Sequence, residues 1–140
     1  IGAVVAHGKA ATVLKPGNHG STFGGNPLAM CAGIETIRIM EEDGLLAHAA
    51  SVGEYLRAAL HTHLGALEGV VDIRGQGLMI GVELSKPCGQ LIGQAAAAGL
   101  LLSVTADTVI RLVPPLILTE AEADEIVAKL LPLVQAVLAA

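Results

Sequence analysis

The chain has no tryptophan, one phenylalanine and one tyrosine among its 140 residues, although 53% of them are hydrophobic. A core must therefore be built from Leu, Val, Ile and Ala. Cations are also scarce. Eight Lys and Arg against thirteen Asp and Glu give a net charge of −5, which argues against nucleic acid and against anionic membrane surfaces, since both demand a basic patch. The two cysteines, Cys31 and Cys88, have no metal-site or redox spacing and suit a reducing cytoplasm. Cys31 falls on the apolar side of a predicted helix and reads as a small buried hydrophobe. No apolar run is long enough to cross a bilayer, because the richest stretch, Leu130 to Ala140, is short and broken by Pro132 and Gln135. The start lacks the basic flank and small-residue cleavage site of a secretory signal, and, as it has no initiator Met, the expectation is a piece of something longer.

The richest local feature is Asn18-His19-Gly20-Ser21-Thr22-Phe23-Gly24-Gly25-Asn26-Pro27-Leu28-Ala29. Two adjacent hydroxyls lie between glycines, directly before an Asn-Pro pair and a run of helical period. Asn26 suits an N-cap, and Pro27 the first helical position, where its missing N–H costs nothing. Glycines admit close backbone approach, and hydroxyls with free N–H groups suit an anion. On residues alone the segment is either an anion-facing loop or a Gly-rich connector.

Ile1 to Ala6 reads as a buried strand, His7 to Gly25 as an ordered loop with a turn at Lys15-Pro16-Gly17-Asn18. From Pro27 the positions Leu28, Cys31, Ile34 and Ile37 recur at helical spacing until Glu41-Glu42-Asp43-Gly44. A second helix spans about Leu45 to Leu64, with Leu46, Ala49, Val52, Leu56, Ala59 and Leu60 inward and Glu54, Arg57 and the histidines toward water. Val70 to Arg74 and Leu78 to Leu84 flank Gly75-Gln76-Gly77 as a hairpin-like pair. An alanine-rich helix, Gln90 to Ala98, stops at Gly99. Strands follow at Leu100 to Val104 and Thr108 to Val113, joined by Thr105-Ala106-Asp107. Thr119 and Glu122 have the spacing of a capping box, and the helix they open buries Ile126, Leu130, Val134, Val137 and Leu138, with a kink or restart at Pro132. Short strands with tight turns favour a small α+β sandwich over a doubly wound sheet, with a boundary near Leu67 to Gly69.

Several patterns have a plain reading. Gly75-x-Gly77-x-x-x-Gly81 is followed by a strand-like alternation, whereas a dinucleotide fingerprint needs a helix there. His61 and His63, two apart on a helix, point in different directions and are poorly placed to share a metal. His19 suits a hydrogen bond within its loop. Lys9 and Lys15 read as solvated, Glu41 to Asp43 as a solvated helix end, and Arg74 as a structural ion pair. Arg111 lies among Ile110, Leu112 and Val113, so its charge either leaves at a sheet edge or meets an anion.

Three ordered segments, Asn18 to Ala29, Asp72 to Leu84 and Val109-Ile110-Arg111-Leu112-Val113-Pro114-Pro115-Leu116, resemble class III pyridoxal-phosphate aminotransferases over essentially the whole chain. The resemblance implies an α/β fold. The chain would be the C-terminal part of a fold-type I pyridoxal-phosphate-dependent transferase, with a small antiparallel sheet covered by helices and preceded by the end of a large domain. Residues 1–40 would close the large domain, 41–68 form a connecting helix, and 69–140 the small α+β domain. It further implies pyridoxal 5'-phosphate as cofactor, an amino acid and a 2-oxo acid as substrates, and a homodimer. By matched position, Thr22, and less strongly Ser21, would contact the cofactor phosphate held by the neighbouring subunit, and Arg111 would hold the substrate α-carboxylate. The family's cofactor-bearing lysine would lie upstream of Ile1, because neither Lys9 nor Lys15 precedes the matching Gly-rich segment. The chain alone is then expected to be inactive, and Ile1 to Ile39 to present uncovered apolar surface. The rival expectation is a non-catalytic association domain.

Overall fold

The computed structural model describes residues 2–140. They form two compact units, one ending at Asp43 and the other spanning Gly44–Ala140.

The first unit carries a short 3-10 helix, Gly8–Thr12, and one long helix, α1 (Pro27–Glu42). The turn before Asn18 forms as expected: the Asn18 N–H donates to the Lys15 carbonyl at 3.0 Å. The strand expected at Ile1 to Ala6 does not form. Gly2–Ala6 is exposed and unpaired, and Ile1 lies outside the described residues. A strand needs a neighbour to take its N–H and C=O groups, and no described residue supplies one. No residue of α1 is buried. Cys31 is exposed, contrary to expectation, as are Leu28, Ile34 and Ile37. Their helical spacing defines an apolar face that nothing in this unit covers, so the expected uncovered apolar surface is present.

In the second unit, α2 (Leu45–Leu64) leads into β1 (Val70–Gln76), β2 (Met79–Leu84), α3 (Leu91–Ala97), β3 (Ser103–Thr105), β4 (Val109–Leu112) and α4 (Glu120–Ala139). The strands make one antiparallel sheet in the order β1-β2-β4-β3. Period-two alternation sends Ile73, Ile80, Val82, Ile110 and Leu112 to one face, where they are buried in a core that α2 lines directly and α4, packed on α2, extends. Val52, Leu56, Leu60 and Leu64 from α2 and Ala123, Val127, Leu130 and Val134 from α4 complete that core. Each fully buried Leu or Ile contributes about 1.5–3 kcal/mol relative to exposure.

Several local expectations are corrected here. Leu46 is exposed, and the inward stripe of α2 ends instead on Gly53 and Leu64. His48 is half-buried rather than solvated, and its Nε2 lies 2.8 Å from the Leu118 carbonyl, tying α2 to the segment before α4. The β1–β2 turn is Gly77-Leu78, with Gly77 at φ +54°, so Gly75 and Gln76 belong to the strand. Leu100–Leu102 carry no strand pairing. The last helix runs through Pro132 without a restart. Pro132 sits on its exposed side, where the carbonyl left unpaired one turn back can reach water.

Candidate functional site

In the first unit, the loop before α1 is closed by its own side chains. The Gly24 N–H donates to Ser21 Oγ at 3.0 Å, Asn26 Nδ2 donates to the Phe23 carbonyl at 2.7 Å, and the Ala29 N–H donates to Asn26 Oδ1 at 3.0 Å. Asn26 is thus an N-cap with its backbone extended, and Pro27 follows at the first helical position. Gly24 has a steric reason as well: a Cβ there would stand 2.9 Å from the Ser21 Cβ. Ser21 Oγ therefore has a structural task, and it borders a hollow of about 460 Å³ with Gly24, Gly25 and Asn26. Thr22 is exposed and does not line that hollow, and among the described residues its hydroxyl has no hydrogen-bond partner. The loop thus holds one hydroxyl in its own closure and presents the other.

In the second unit, strand register lines up four residues across the solvent face of the sheet. Arg74 pairs with Gly81, Gly81 with Arg111, and Arg111 with Ser103. Arg74 Nη1 reaches Glu83 at 2.6 Å and Asp72 at 2.9 Å, the structural ion pair expected of it. These carboxylates, Glu83 foremost, push the Arg74 guanidinium further above its ordinary range. Arg111 stands on β4, an inner strand, so its charge does not escape at an edge but projects from the middle of the sheet. Its Nε donates to Ser103 Oγ at 3.1 Å. Among the described residues no carboxylate pairs with it.

Gly81 contributes no side chain between the two arginines. An open groove of about 510 Å³ runs over this position, bordered by Arg74, Gln76, Met79, Thr105, Val109 and Arg111. One unpaired planar cation beside a mostly apolar groove is an arrangement suited to a carboxylate with an organic chain attached. The hydroxyl pair belongs to one unit and Arg111 to the other. Ser103 was not among the residues picked from sequence, because its place opposite Arg111 depends on the register of a hairpin.

The chain matches the aminotransferase class-III family over residues 1–134. It is 52% identical over 139 residues to acetylornithine aminotransferase 1 of Bordetella bronchiseptica, covering 99% of this chain and 35% of that protein. Among solved structures it is similar to an ornithine aminotransferase from Plasmodium yoelii, with a TM-score of 0.81 and 30% identity over 94% of this chain and 36% of the other. An acetylornithine aminotransferase from Elizabethkingia anophelis superposes with a TM-score of 0.76 and 28% identity, over 91% of this chain and 33% of the other. The chain therefore spans about a third of the length of the relatives it matches.

Proposed function

The chain belongs to the class III aminotransferases, and from that membership we propose that it is the C-terminal portion of a cytoplasmic, homodimeric enzyme that moves an amino group from N-acetylornithine to 2-oxoglutarate. The products are N-acetylglutamate semialdehyde and glutamate, a step of arginine biosynthesis. The fold and the family imply pyridoxal 5'-phosphate. When bound, it supplies the electron sink that amino-group transfer requires. In this reading residues 1–40 end the large cofactor-binding domain and 69–140 form the small domain, whose core is completed by α2 from the connecting stretch 41–68.

The observation that carries the reading is Arg111. Both substrates have an α-carboxylate, and a planar guanidinium with no carboxylate partner binds one bidentately. Arg74 cannot take that task while Asp72 and Glu83 neutralise it. Arg111 orients each substrate in turn by the group that both possess. The loop before α1 fits the phosphate end of the cofactor chemically. It offers hydroxyl and backbone N–H donors, has no acidic side chain between Asn18 and Ala29, and is tightened by a glycine that admits no Cβ. Thr22 is the donor the loop leaves open, reaching a phosphate held by the partner subunit, while Ser21 fixes the loop's shape.

None of Lys9, Lys15, Lys86 or Lys129 stands in the sequence setting of the family's cofactor-bearing lysine, so these 140 residues alone are expected to catalyse no transamination. The test compares turnover by the full-length protein on N-acetylornithine, ornithine, 4-aminobutyrate and succinyl-diaminopimelate, each with 2-oxoglutarate. Preference for N-acetylornithine supports the assignment, and preference for another donor moves the enzyme elsewhere in the family. Absence of turnover on every donor, or turnover by the 140-residue chain alone, overturns it.

A further inference from the structure

Ser103 is where the sheet adds something to the Arg111 site beyond the arginine itself. A guanidinium carries five N–H donors in a fixed fork, and a carboxylate can dock on either of two edges: end-on across the two Nη groups, or side-on across Nε and one Nη. In this structure Nε is already engaged, donating to Ser103 Oγ at 3.1 Å. That bond occupies the side-on edge and leaves the end-on pair. We propose that Ser103 is a positioning residue, which fixes the rotation of the Arg111 guanidinium and so selects end-on docking of the substrate carboxylate. The inference rests on the reading of Arg111 as the carboxylate site.

Four further features favour it. Ser103 sits directly opposite Arg111 in the β3–β4 register, so the contact is set by backbone pairing rather than by a chance rotamer. On the other flank Gly81 has no side chain to offer a competing hold. Beyond Gly81, Arg74 keeps Glu83 and Asp72 engaged, so neither acid is drawn to Arg111. Ser103 is half-buried while Arg111 is exposed, so the fixed partner anchors the mobile one. A long flexible cation on an open face would otherwise sample many rotamers, and the cost of ordering it would fall on every substrate that binds.

The test uses the full-length protein with its cofactor and compares wild type, Ser103→Ala, Ser103→Thr and Arg111→Lys. Because both substrates present the same group to Arg111, Ser103→Ala is expected to raise KM for amino donor and for 2-oxoglutarate alike, by about three- to tenfold, with kcat held within about twofold. Calorimetric affinity for 2-oxoglutarate should fall by the same factor. Ser103→Thr retains the hydroxyl and should restore both quantities. Unchanged KM and affinity in Ser103→Ala, or a loss that Ser103→Thr does not rescue, overturns the positioning role. Arg111→Lys separates the two levels. If it binds 2-oxoglutarate as wild type does, the carboxylate reading itself falls. If it is impaired while Ser103→Ala is not, only the role of Ser103 falls.

Discussion

Two glycines from distant parts of the second unit meet in a contact that no other residue permits. A Cβ added to Gly53, on the inward side of α2, would lie 2.1 Å from the Gly77 carbonyl oxygen and 2.4 Å from its carbon. Both atoms are backbone, so neither can swing aside. Alanine is the better helix former by about 1 kcal/mol, and in an open helix Gly→Ala would stabilise. Here the clash wins, because relieving it means lifting the β1–β2 turn off the helix that supports the core. Gly53→Ala is expected to lower stability by about 1–3 kcal/mol, read as a lower urea midpoint of the 140-residue chain. Gly93 provides the contrast, since it lies in α3 with nothing within 4 Å of its added Cβ. Gly93→Ala should be neutral or stabilising, and equal effects at both positions would refute the contact. The same close reading separates two neighbouring hydroxyls. Ser21 is committed to the Gly24 N–H, whereas Thr22 is exposed, so the position proposed for the phosphate contact is also the one the loop leaves available.

Among the helices, α4 has the most explicit start. Glu122 N donates to Thr119 Oγ1 at 3.2 Å, and the Glu122 carboxylate accepts from the Thr119 N–H at 2.8 Å, a reciprocal capping box. Thr119→Ala should cost about 1 kcal/mol of stability. The bond from the Thr119 backbone, then that from its hydroxyl, hold the Glu122 carboxyl below its ordinary value of 4.5. A depressed carboxylate contributes stability that is complete above its unfolded pKa and is lost as pH falls through its folded pKa. Glu122→Gln keeps the reach of the side chain but does not titrate. Its deficit in melting temperature relative to wild type should therefore be present near neutral pH and shrink as pH drops below 4.5. A deficit constant with pH would exclude the carboxylate as its source.

This capping box was plain in the sequence, as were Asn26 at the start of α1 and the whole span of α2, because caps and helical period are local signals. Arg111 was legible too, since an arginine among apolar strand residues must find water or an anion. Strand register was not legible. Had Thr105-Ala106-Asp107 been the β3–β4 loop, Leu101 would have faced Arg111. The observed pairing of Thr105 with Val109 puts Ser103 there instead. That pairing relies on Ala106 and Asp107 adopting positive φ, at 49° and 61°, a conformation that Asp tolerates but that is unusual for Ala. Register in a short hairpin follows from turn conformation, and these turn residues do not declare theirs.

At the scale of the whole chain, burial is distributed very unevenly. Every residue of the buried hydrophobic core belongs to Gly44–Ala140, while no described residue up to Asp43 is buried. Phe23 and Leu28 are each 81% exposed, on either side of the N-cap that opens α1. A lone sixteen-residue helix whose apolar side faces water is marginal, because nucleation is costly and most helix stability in proteins comes from packing. Local stability tracks buried contacts. In the 140-residue chain, backbone amides up to Asp43 are therefore expected to exchange with solvent deuterium orders of magnitude faster than those of α2, β2, β4 and α4, α1 included. The proposed function adds a second half to this prediction. If residues 1–40 end a large domain, the apolar positions Leu28, Ile34 and Ile37 are covered in the full-length protein, and the amides of α1 should there slow toward core values. Uniformly slow exchange in the 140-residue chain would show that α1 is stable without a cover. Fast exchange of α1 in the full-length protein would show that nothing covers it, and the assignment of residues 1–40 to a larger domain would fail.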